Sequence, residues 1–206
     1  MPALTGDCTT SSGAVATTCN NPPPMYISGN WYIAGGEMLN TGASNSNANN
    51  GTASCYPFFF RAATTINALG GFVNTVSAGG NFSLAIYAHN PATNRPTGDD
   101  LANSGSLSTT SSAAVSGVIS LVVASPRWLW ACQNSDNGTA TLRAGTFLAM
   151  SGFMGTATQA NLDTGTSKIS GVTTSLSFAG GWTDLTGATW TEVGARNWAL
   201  VQFKIQ

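Results

Sequence analysis

The 206-residue chain is poor in charge: Asp, Glu, Lys and Arg make up 7% of it, and its formal net charge is -1, whereas roughly 25% of the residues of a typical soluble domain are charged. A chain without a basic stripe or an acidic face is unsuited to nucleic acid, to anionic membranes and to highly charged partners. Hydrophobic residues account for 42% of the chain, which predicts one folded domain with at most a short appendage.

The first 28 residues lack the large apolar side chains that a core of their own would need. Three consecutive prolines near their end favour a stiff polyproline II segment. We predict that residues 1–28 form an extended arm that becomes ordered on a partner subunit, the alternative being disorder. This stretch has neither the basic nor the apolar region of a signal peptide, and no segment reaches the roughly 18 apolar residues of a membrane span, so we expect a soluble protein made in a cytosol. The arm residues singled out for assembly are Cys8, Cys19, Pro22, Pro23 and Pro24.

The four cysteines do not follow the spacing of a metal site. No two are arranged as CxxC, and the chain has one histidine, so zinc is not predicted. We interpret the cysteines as unpaired, small apolar residues. The alternative is a disulfide between Cys8 and Cys19 that closes a loop in the arm after oxidation outside the cell. The sequence leaves open the disulfide state of Cys8, Cys19, Cys55 and Cys132.

Strand-like segments follow the arm. Residues 30–33 form a short strand candidate, and the Gly/Asn-rich stretch 40–54 is predicted to be a long exposed loop. The clearest signal lies at residues 82–89, where Phe, Leu, Ile and Ala occupy every second position, which is typical of a strand with one buried face. Further strand candidates are 56–61, 69–76, 101–107, 115–123, 128–133, 146–150, 172–178 and 198–205.

The order of these elements predicts the fold class. No window shows a helical stripe with caps, because Gly and β-branched residues interrupt each candidate. Many short strands separated by turn residues predict an all-β fold, a two-sheet antiparallel sandwich over residues 29–206 with jelly-roll connections, the alternative being a barrel. The last strand, 198–205, is expected to be held within a sheet.

Residues 57–150 also follow a recognisable order of elements. An aromatic entry leads through one strand to an alternating strand, a Pro/Gly loop, a leucine-rich strand pair and a Trp-x-Trp strand. This order resembles that of β-sandwich virion surface proteins of tailed bacteriophages, such as tail-fibre, baseplate-appendage and head-decoration subunits. The segments that carry the resemblance are Pro57-Phe58-Phe59-Phe60, Phe82 to Ala88, the loop Asn90 to Gly98, and Arg127 to Cys132.

The resemblance implies a structural protein on the virion surface, made in the host cytoplasm and docked through its N-terminal arm. Its implied partners are other virion proteins and copies of itself, as a homotrimer. The resemblance covers neither the arm nor residues 151–206, so the attachment point on head, collar or tail stays open.

Few residues are candidates for chemistry. The eight carboxylates lie almost entirely in predicted loops, which is not the fixed pair that acid–base catalysis needs. Asp99 and Asp100 are interpreted as a solvated turn, the alternative being part of a calcium site. His89 is interpreted as a strand-end residue, exposed or bonded to backbone, because no Gly-x-Ser-x-Gly elbow accompanies it as a general base. We therefore predict no catalysis, no cofactor and no metal. The glycine pairs interpreted as turns are Gly35-Gly36, Gly70-Gly71, Gly79-Gly80 and Gly180-Gly181.

The six tryptophans are the remaining feature. Trp128 and Trp130 share one strand face and are predicted to fill the core. Trp182 and Trp190 lie in a Gly/Thr-rich stretch, and we expect them at a subunit interface or in the core, the alternative being stacking on a glycan. The rival function is therefore a carbohydrate- or receptor-binding module at a fibre tip. A third interpretation, a polysaccharide-cleaving enzyme, would require clustered acidic residues in a groove.

Overall fold

In the computed structural model, side chains are described for residues 26–35, 50–145, 169–194 and 197–206, and the backbone alone for 8–9, 18–19, 39–47 and 146–147. These residues form strands, turns and bends and contain no helix, so within them no helix is long and apolar enough to cross a membrane. The strands are β1 (Cys8–Thr9), β2 (Thr18–Cys19), β3 (Trp31–Ile33), β4 (Leu39–Asn47), β5 (Thr52–Phe60), β6 (Thr64–Thr75), β7 (Asn81–Asn90), β8 (Arg95–Asn103), β9 (Leu107–Ser108), β10 (Ala114–Val123), β11 (Arg127–Ser135), β12 (Thr141–Phe147), β13 (Gly171–Ser175), β14 (Thr191–Val193), β15 (Asn197–Ala199) and β16 (Gln202–Ile205).

Two seven-stranded sheets contain all of these strands except β1 and β2, which pair with each other. Sheet I has the order β15-β12-β6-β16-β3, with β10 paired to β6 and β4 paired to β12. Sheet II has the order β14-β13-β5-β11-β7-β8, with β9 paired to β7. The strands pair antiparallel and the sheets pack against each other, so the predicted two-sheet antiparallel sandwich is confirmed. Its jelly-roll connectivity stays a prediction.

The main core lies between the two sheets, where every second residue of the facing strands is apolar. Phe82, Leu84 and Ile86 of β7 are fully buried and belong to the same cluster as Phe58 of β5 and Phe203 of β16. The rings of Phe58 and Phe203 stack with their centroids 6.0 Å apart. The alternation that predicts β7 therefore identifies its core-facing side correctly.

Tyr56 joins the two sheets inside this core. Its hydroxyl oxygen accepts the backbone N–H of Val201 at 2.9 Å, and burial raises the pKa of the phenol, so it keeps its proton at neutral pH. Val201 lies between β15, which pairs with β12, and β16, which pairs with β6. The single predicted strand 198–205 is therefore two short strands, because the chain changes its partner strand between them.

A loop covers the outer face of sheet II. Residues 176–190, here called the strap, connect β13 to β14 and cross the sheet to its far edge at β8. A covered outer face is not predicted from the sequence, since the strap is too rich in Gly and Thr to show a periodic pattern. Its hydrogen bonds reach β11 (Asn134 Nδ2 to Leu176 O, 3.0 Å), β8 (Leu185 N to Gly98 O, 2.9 Å) and β13 (Thr174 Oγ1 to Thr189 O, 2.9 Å).

Beneath the strap lies a second hydrophobic cluster. Tyr87, Trp130 and Leu185 are buried in it, and Trp128 packs against it partly buried. The prediction that Trp128 and Trp130 face the same side is confirmed, but they pack in this outer cluster and not between the sheets. Strands β7 and β11 are thus buried on both faces.

Cys55 and Cys132 form a disulfide within the second cluster, so the interpretation of these two cysteines as unpaired is wrong. They are opposite each other in the ladder between β5 and β11, and both are fully buried. The same ladder aligns Phe60 with Arg127. Because the strands are antiparallel, pairing the aromatic ends of the two segments brings the two cysteines together.

The Gly/Asn-rich stretch 40–54 is not the loop that its composition predicts. Leu39–Asn47 is β4, which pairs with β12, and β5 already begins at Thr52. The residues of β4 have low intrinsic strand propensity. Its backbone hydrogen bonds to β12 hold it in the extended conformation that its side chains do not favour.

Gly70 and Gly71 lie within β6 and not in a turn. A Cβ atom on Gly70 would lie 2.9 Å from the carbonyl oxygen of Val115 and 3.3 Å from the ring of Trp31. The absence of a side chain at Gly70 therefore allows close packing on the outer face of sheet I.

The predicted loop 90–98 is a turn only as far as Asn94, since β8 begins at Arg95.

Candidate functional site

A cleft of about 370 Å³ opens at one end of sheet II, between the strap and the connection from β8 to β9. Polar and apolar groups both line it. Four separate parts of the chain form its walls. The lining side chains include Ser83 of β7, Asn103 and Ser106 near the β8–β9 connection, Asn134 of β11, and Phe178 and Trp182 of the strap.

Trp182 is held in a fixed position in the cleft wall. Its indole N–H donates to Ser83 Oγ at 2.8 Å, and its ring meets that of Tyr87 edge to face at 5.9 Å. The Tyr87 hydroxyl donates to the carbonyl oxygen of Thr183 at 2.9 Å, which anchors the next residue of the strap. Burial, reinforced by the carboxylate of Asp100, raises the pKa of Tyr87, so this donor keeps its proton at neutral pH.

The opposite wall is the connection between β8 and β9. Asn103 bridges it, because its Nδ2 donates to Asp100 Oδ2 at 2.8 Å and its Oδ1 accepts the N–H of Gly105 at 3.0 Å. Gly105 has a φ of +66°, a conformation that glycine adopts without strain. Ser104 Oγ accepts the N–H of Leu84 at 3.0 Å and so ties the connection to β7.

Asn134 joins the floor of the cleft to the strap. It is 2% exposed, its Oδ1 accepts the N–H of Ser135 at 2.7 Å, and its Nδ2 donates to the carbonyl oxygen of Leu176 at 3.0 Å. Both sides of its amide are engaged, so the first turn of the strap is fixed to β11. The cleft is therefore formed before any ligand arrives.

The cleft is electrically neutral. None of the described residues that line it carries a charge, and one of them, Asn103, is bonded to the carboxylate of Asp100. Its hydrogen-bonding groups are hydroxyls, amides and backbone. This set suits a neutral ligand with several hydroxyls more than an ion.

The predicted tryptophans have different positions. Trp182 lines the cleft, whereas Trp190 packs partly buried against the second cluster and is not among the cleft residues. The two residues do not share a platform. Both pack partly buried against the second cluster, and of the two Trp182 is the one that lines this cleft. The subunit contact and the glycan stacking stay predictions.

His89 lies at the end of β7, as predicted, and is half-buried. Its Nδ1 accepts the indole N–H of Trp130 at 3.2 Å, an arrangement that requires an unprotonated Nδ1. Burial lowers the pKa of His89, which agrees with a neutral ring at physiological pH. His89 therefore supports the packing of Trp130.

Asp99 and Asp100 lie within β8 and not in a turn, and within the described residues no three His, Cys, Asp or Glu side chains form a potential metal site. In the predicted arm, the backbone of Cys8 is directly opposite that of Cys19 in the β1–β2 pair. The prolines Pro22, Pro23 and Pro24 lie outside the described residues.

Of the lining side chains named above, sequence reasoning singled out Trp182 and missed the other five: Ser83, Asn103, Ser106, Asn134 and Phe178. Ser83 and Asn134 are buried polar side chains on β7 and β11, but the sequence gives no signal for them, because Ser83 fits the second face of an alternating strand and Asn134 stands between Gln133 and Ser135. A buried polar residue needs a partner, and here Ser83 and Asn134 both find one in the strap.

Comparison of the chain with protein-family models and with curated proteins finds no match.

Proposed function

We propose that this chain is a structural protein on the surface of a tailed-phage virion, a fibre, appendage or decoration subunit that docks through residues 1–28 and assembles with copies of itself. The observation that carries the proposal is the contrast between the two outer faces of the sandwich. The strap covers the second cluster on the outer face of sheet II, where Phe59 stays 45% exposed, whereas the outer face of sheet I exposes apolar side chains to as much as 90%.

Three exposed apolar side chains mark the outer face of sheet I. Val118, Val122 and Trp31 are 90%, 69% and 44% exposed. Four residues form a row across the sheet. Trp31 of β3 is opposite Lys204 of β16, Lys204 is opposite Ala68 of β6, and Ala68 is opposite Val118 of β10. Between Trp31 and Val118 in this row lie Lys204, which is half-buried, and Ala68, which is buried, so the exposed apolar groups of this face are Trp31, Val118 and Val122. Exposed apolar surface of this kind is typical of interaction sites.

Strand β10 adds an exposed edge to this face. In the described part of the chain it pairs only with β6, and none of the residues of Ala114–Val123 is charged or a proline. Monomeric proteins usually protect such an edge with Lys, Pro or a bulge. Strand β10 has neither Lys nor Pro, and its pairing with β6 shifts register once, between Val118 and Leu121. A second copy of this chain is the partner that we propose, in a homotrimer, because an uncharged strand meets no like-charge repulsion from its own copy.

Replacing Val118 and Val122 together with Lys should convert the oligomer into folded monomers of 21.0 kDa. Two charges on the contact face would have to be desolvated on assembly. Sedimentation velocity over a range of concentrations measures the change. Val76→Lys is the matched control, since Val76 is also exposed, at 48%, but lies outside β10. A wild-type protein that stays monomeric, or a double variant that keeps its oligomeric mass, would contradict self-assembly through this face.

Deleting residues 1–25 should leave a folded sandwich that is no longer incorporated into particles. The deletion stops before Tyr26, because its ring lies 4.7 Å from that of Phe60 and packs on the main core. Circular dichroism and thermal unfolding report the fold, and immunoblotting of purified particles reports incorporation. Normal incorporation of the truncated protein would refute docking through the arm.

We propose as a second function a receptor-binding module at a fibre tip that recognises host-surface carbohydrate. The cleft beside Trp182 favours it, since it combines a fixed aromatic wall with neutral hydrogen-bonding groups. The two functions are compatible with one protein. Assembly uses the outer face of sheet I and receptor binding uses the cleft beside Trp182, so each function can be tested without the other.

A further inference from the structure

We propose that the cleft beside Trp182 binds a neutral sugar ring and discriminates against acidic sugars. This inference rests on the second proposed function and adds the class of ligand, the residues that hold it and the basis of its selectivity. It follows from three properties of the cleft: the fixed aromatic wall, the hydrogen-bonding capacity of the polar walls, and a lining without cations in which Asn103 is bonded to the carboxylate of Asp100.

The aromatic wall is rigid before binding. The Trp182 indole is fixed by its bond to Ser83, and two further bonds hold the strap on either side of it, from Asn134 to Leu176 and from Leu185 to Gly98. An immobilised ring does not lose side-chain entropy when a ligand packs on it. Aromatic side chains offer apolar contact to the C–H face of a sugar, while polar groups nearby serve its hydroxyls.

The polar walls retain hydrogen-bonding capacity for hydroxyl groups. Asn103 uses one amide N–H and one carbonyl lone pair in its two bonds, and a primary amide has two of each. The Ser83 hydroxyl accepts from Trp182 and keeps a proton that it can donate. Asn103 and Ser106 are exposed at the rim, where a ligand can reach them. Hydroxyls both donate and accept, so a polyol can use all of these groups.

Charge and size narrow the ligand class. The lining supplies no cation to pair with a carboxylate, and Asp100 lies behind Asn103 with its Oδ2 2.8 Å from Asn103 Nδ2. A uronic or sialic acid would therefore lose hydration without gaining an ion pair. The volume of about 370 Å³ is near the lower end of the roughly 300–1,000 Å³ of small-molecule sites. This size fits one or two rings of a longer saccharide.

The test is a titration of the full-length protein followed by two-dimensional ¹H–¹⁵N NMR. The probes are neutral disaccharides built from glucose, galactose, mannose or N-acetylglucosamine, each compared with glucuronic acid and sialyllactose. At least one neutral probe should shift the indole signal of Trp182 and the side-chain amide of Asn103. The acidic probes should shift them less at equal concentration.

Trp182→Ala and Asn103→Ala should each weaken binding of that probe by about tenfold or more, a loss of about 1.4 kcal/mol. Phe59→Ala is the matched control, because Phe59 is an aromatic residue 45% exposed on the same face of sheet II but outside the cleft, and it should bind as the wild type does. The Trp182→Ala variant can lose binding because the strap itself is disturbed, since Trp182 packs against the second cluster. The Asn103→Ala variant does not share this effect, because Asn103 is exposed and is not part of that cluster.

The possible failures are distinguishable. If no neutral probe shifts either signal, or if acidic probes bind more tightly, the inference is overturned. If a neutral probe binds but both cleft variants bind it as the wild type does, the receptor function survives at another site and the cleft inference fails. Neither result affects self-assembly through sheet I, which is measured separately by sedimentation.

Discussion

Trp198→Ala is expected to lower the free energy of unfolding by about 3–5 kcal/mol, the range for removing a large buried aromatic side chain. Trp198 is 1% exposed, its indole N–H donates to Ser170 Oγ at 2.8 Å, and its ring packs against Tyr56 at 6.1 Å. Its ring also lies over Gly171, where a Cβ would come within 2.6 Å of it. The substitution therefore removes a packed ring and a buried hydrogen bond together.

Urea unfolding followed by circular dichroism measures this loss. Trp31→Ala is the matched control, because Trp31 is 44% exposed and should cost less than about 1 kcal/mol, as most surface substitutions do. Equal stabilities of the two variants would contradict the position of Trp198 in the core.

Replacing both Cys55 and Cys132 with Ala is expected to lower the free energy of unfolding by about 2–4 kcal/mol. The bond joins residues 77 positions apart in the sequence, so it removes much conformational freedom from the unfolded chain. It also lies beneath the strap, fully buried with Trp130 and Leu185. The double variant should therefore lose protection of the second cluster as well as overall stability.

Chemical unfolding of the oxidised protein, with thiol counting before and after denaturation, tests this expectation. The double variant Cys8→Ala with Cys19→Ala is the matched control, since both residues belong to the β1–β2 pair outside the two large sheets. Unchanged stability after removal of Cys55 and Cys132 would show that the bond does not contribute to folding.

The strands with strong periodic patterns can be predicted from the sequence. Residues 82–89 alternate because one face meets the main core, and 128–133 concentrate aromatic residues because β11 lies in the middle of sheet II. These signals are local, so a single sequence contains them. Together with the lack of helical periodicity, they are sufficient to predict the two-sheet sandwich.

The features that the sequence does not reveal depend on non-local pairing. Strand β4 has a loop-like composition and is ordered by its bonds to β12, about a hundred residues later in the chain. The disulfide requires the register between β5 and β11. The cleft requires the strap to meet Ser83 and Asn134, whose own sequence neighbours give no indication of a binding surface.

The strap and the last strands also determine when this protein can finish folding. Strand β5 lies between β11 and β13, and β6 receives β16 on one side, so central strands in both sheets wait for partners that are synthesised much later. Folds built from such distant pairings form slowly, typically in milliseconds to seconds. Strands β5 and β11, which hold Cys55 and Cys132, can pair once residue 135 has left the ribosome. The main core and the second cluster are complete only after residues 171–205 have followed. Completion of the sandwich is therefore a late event.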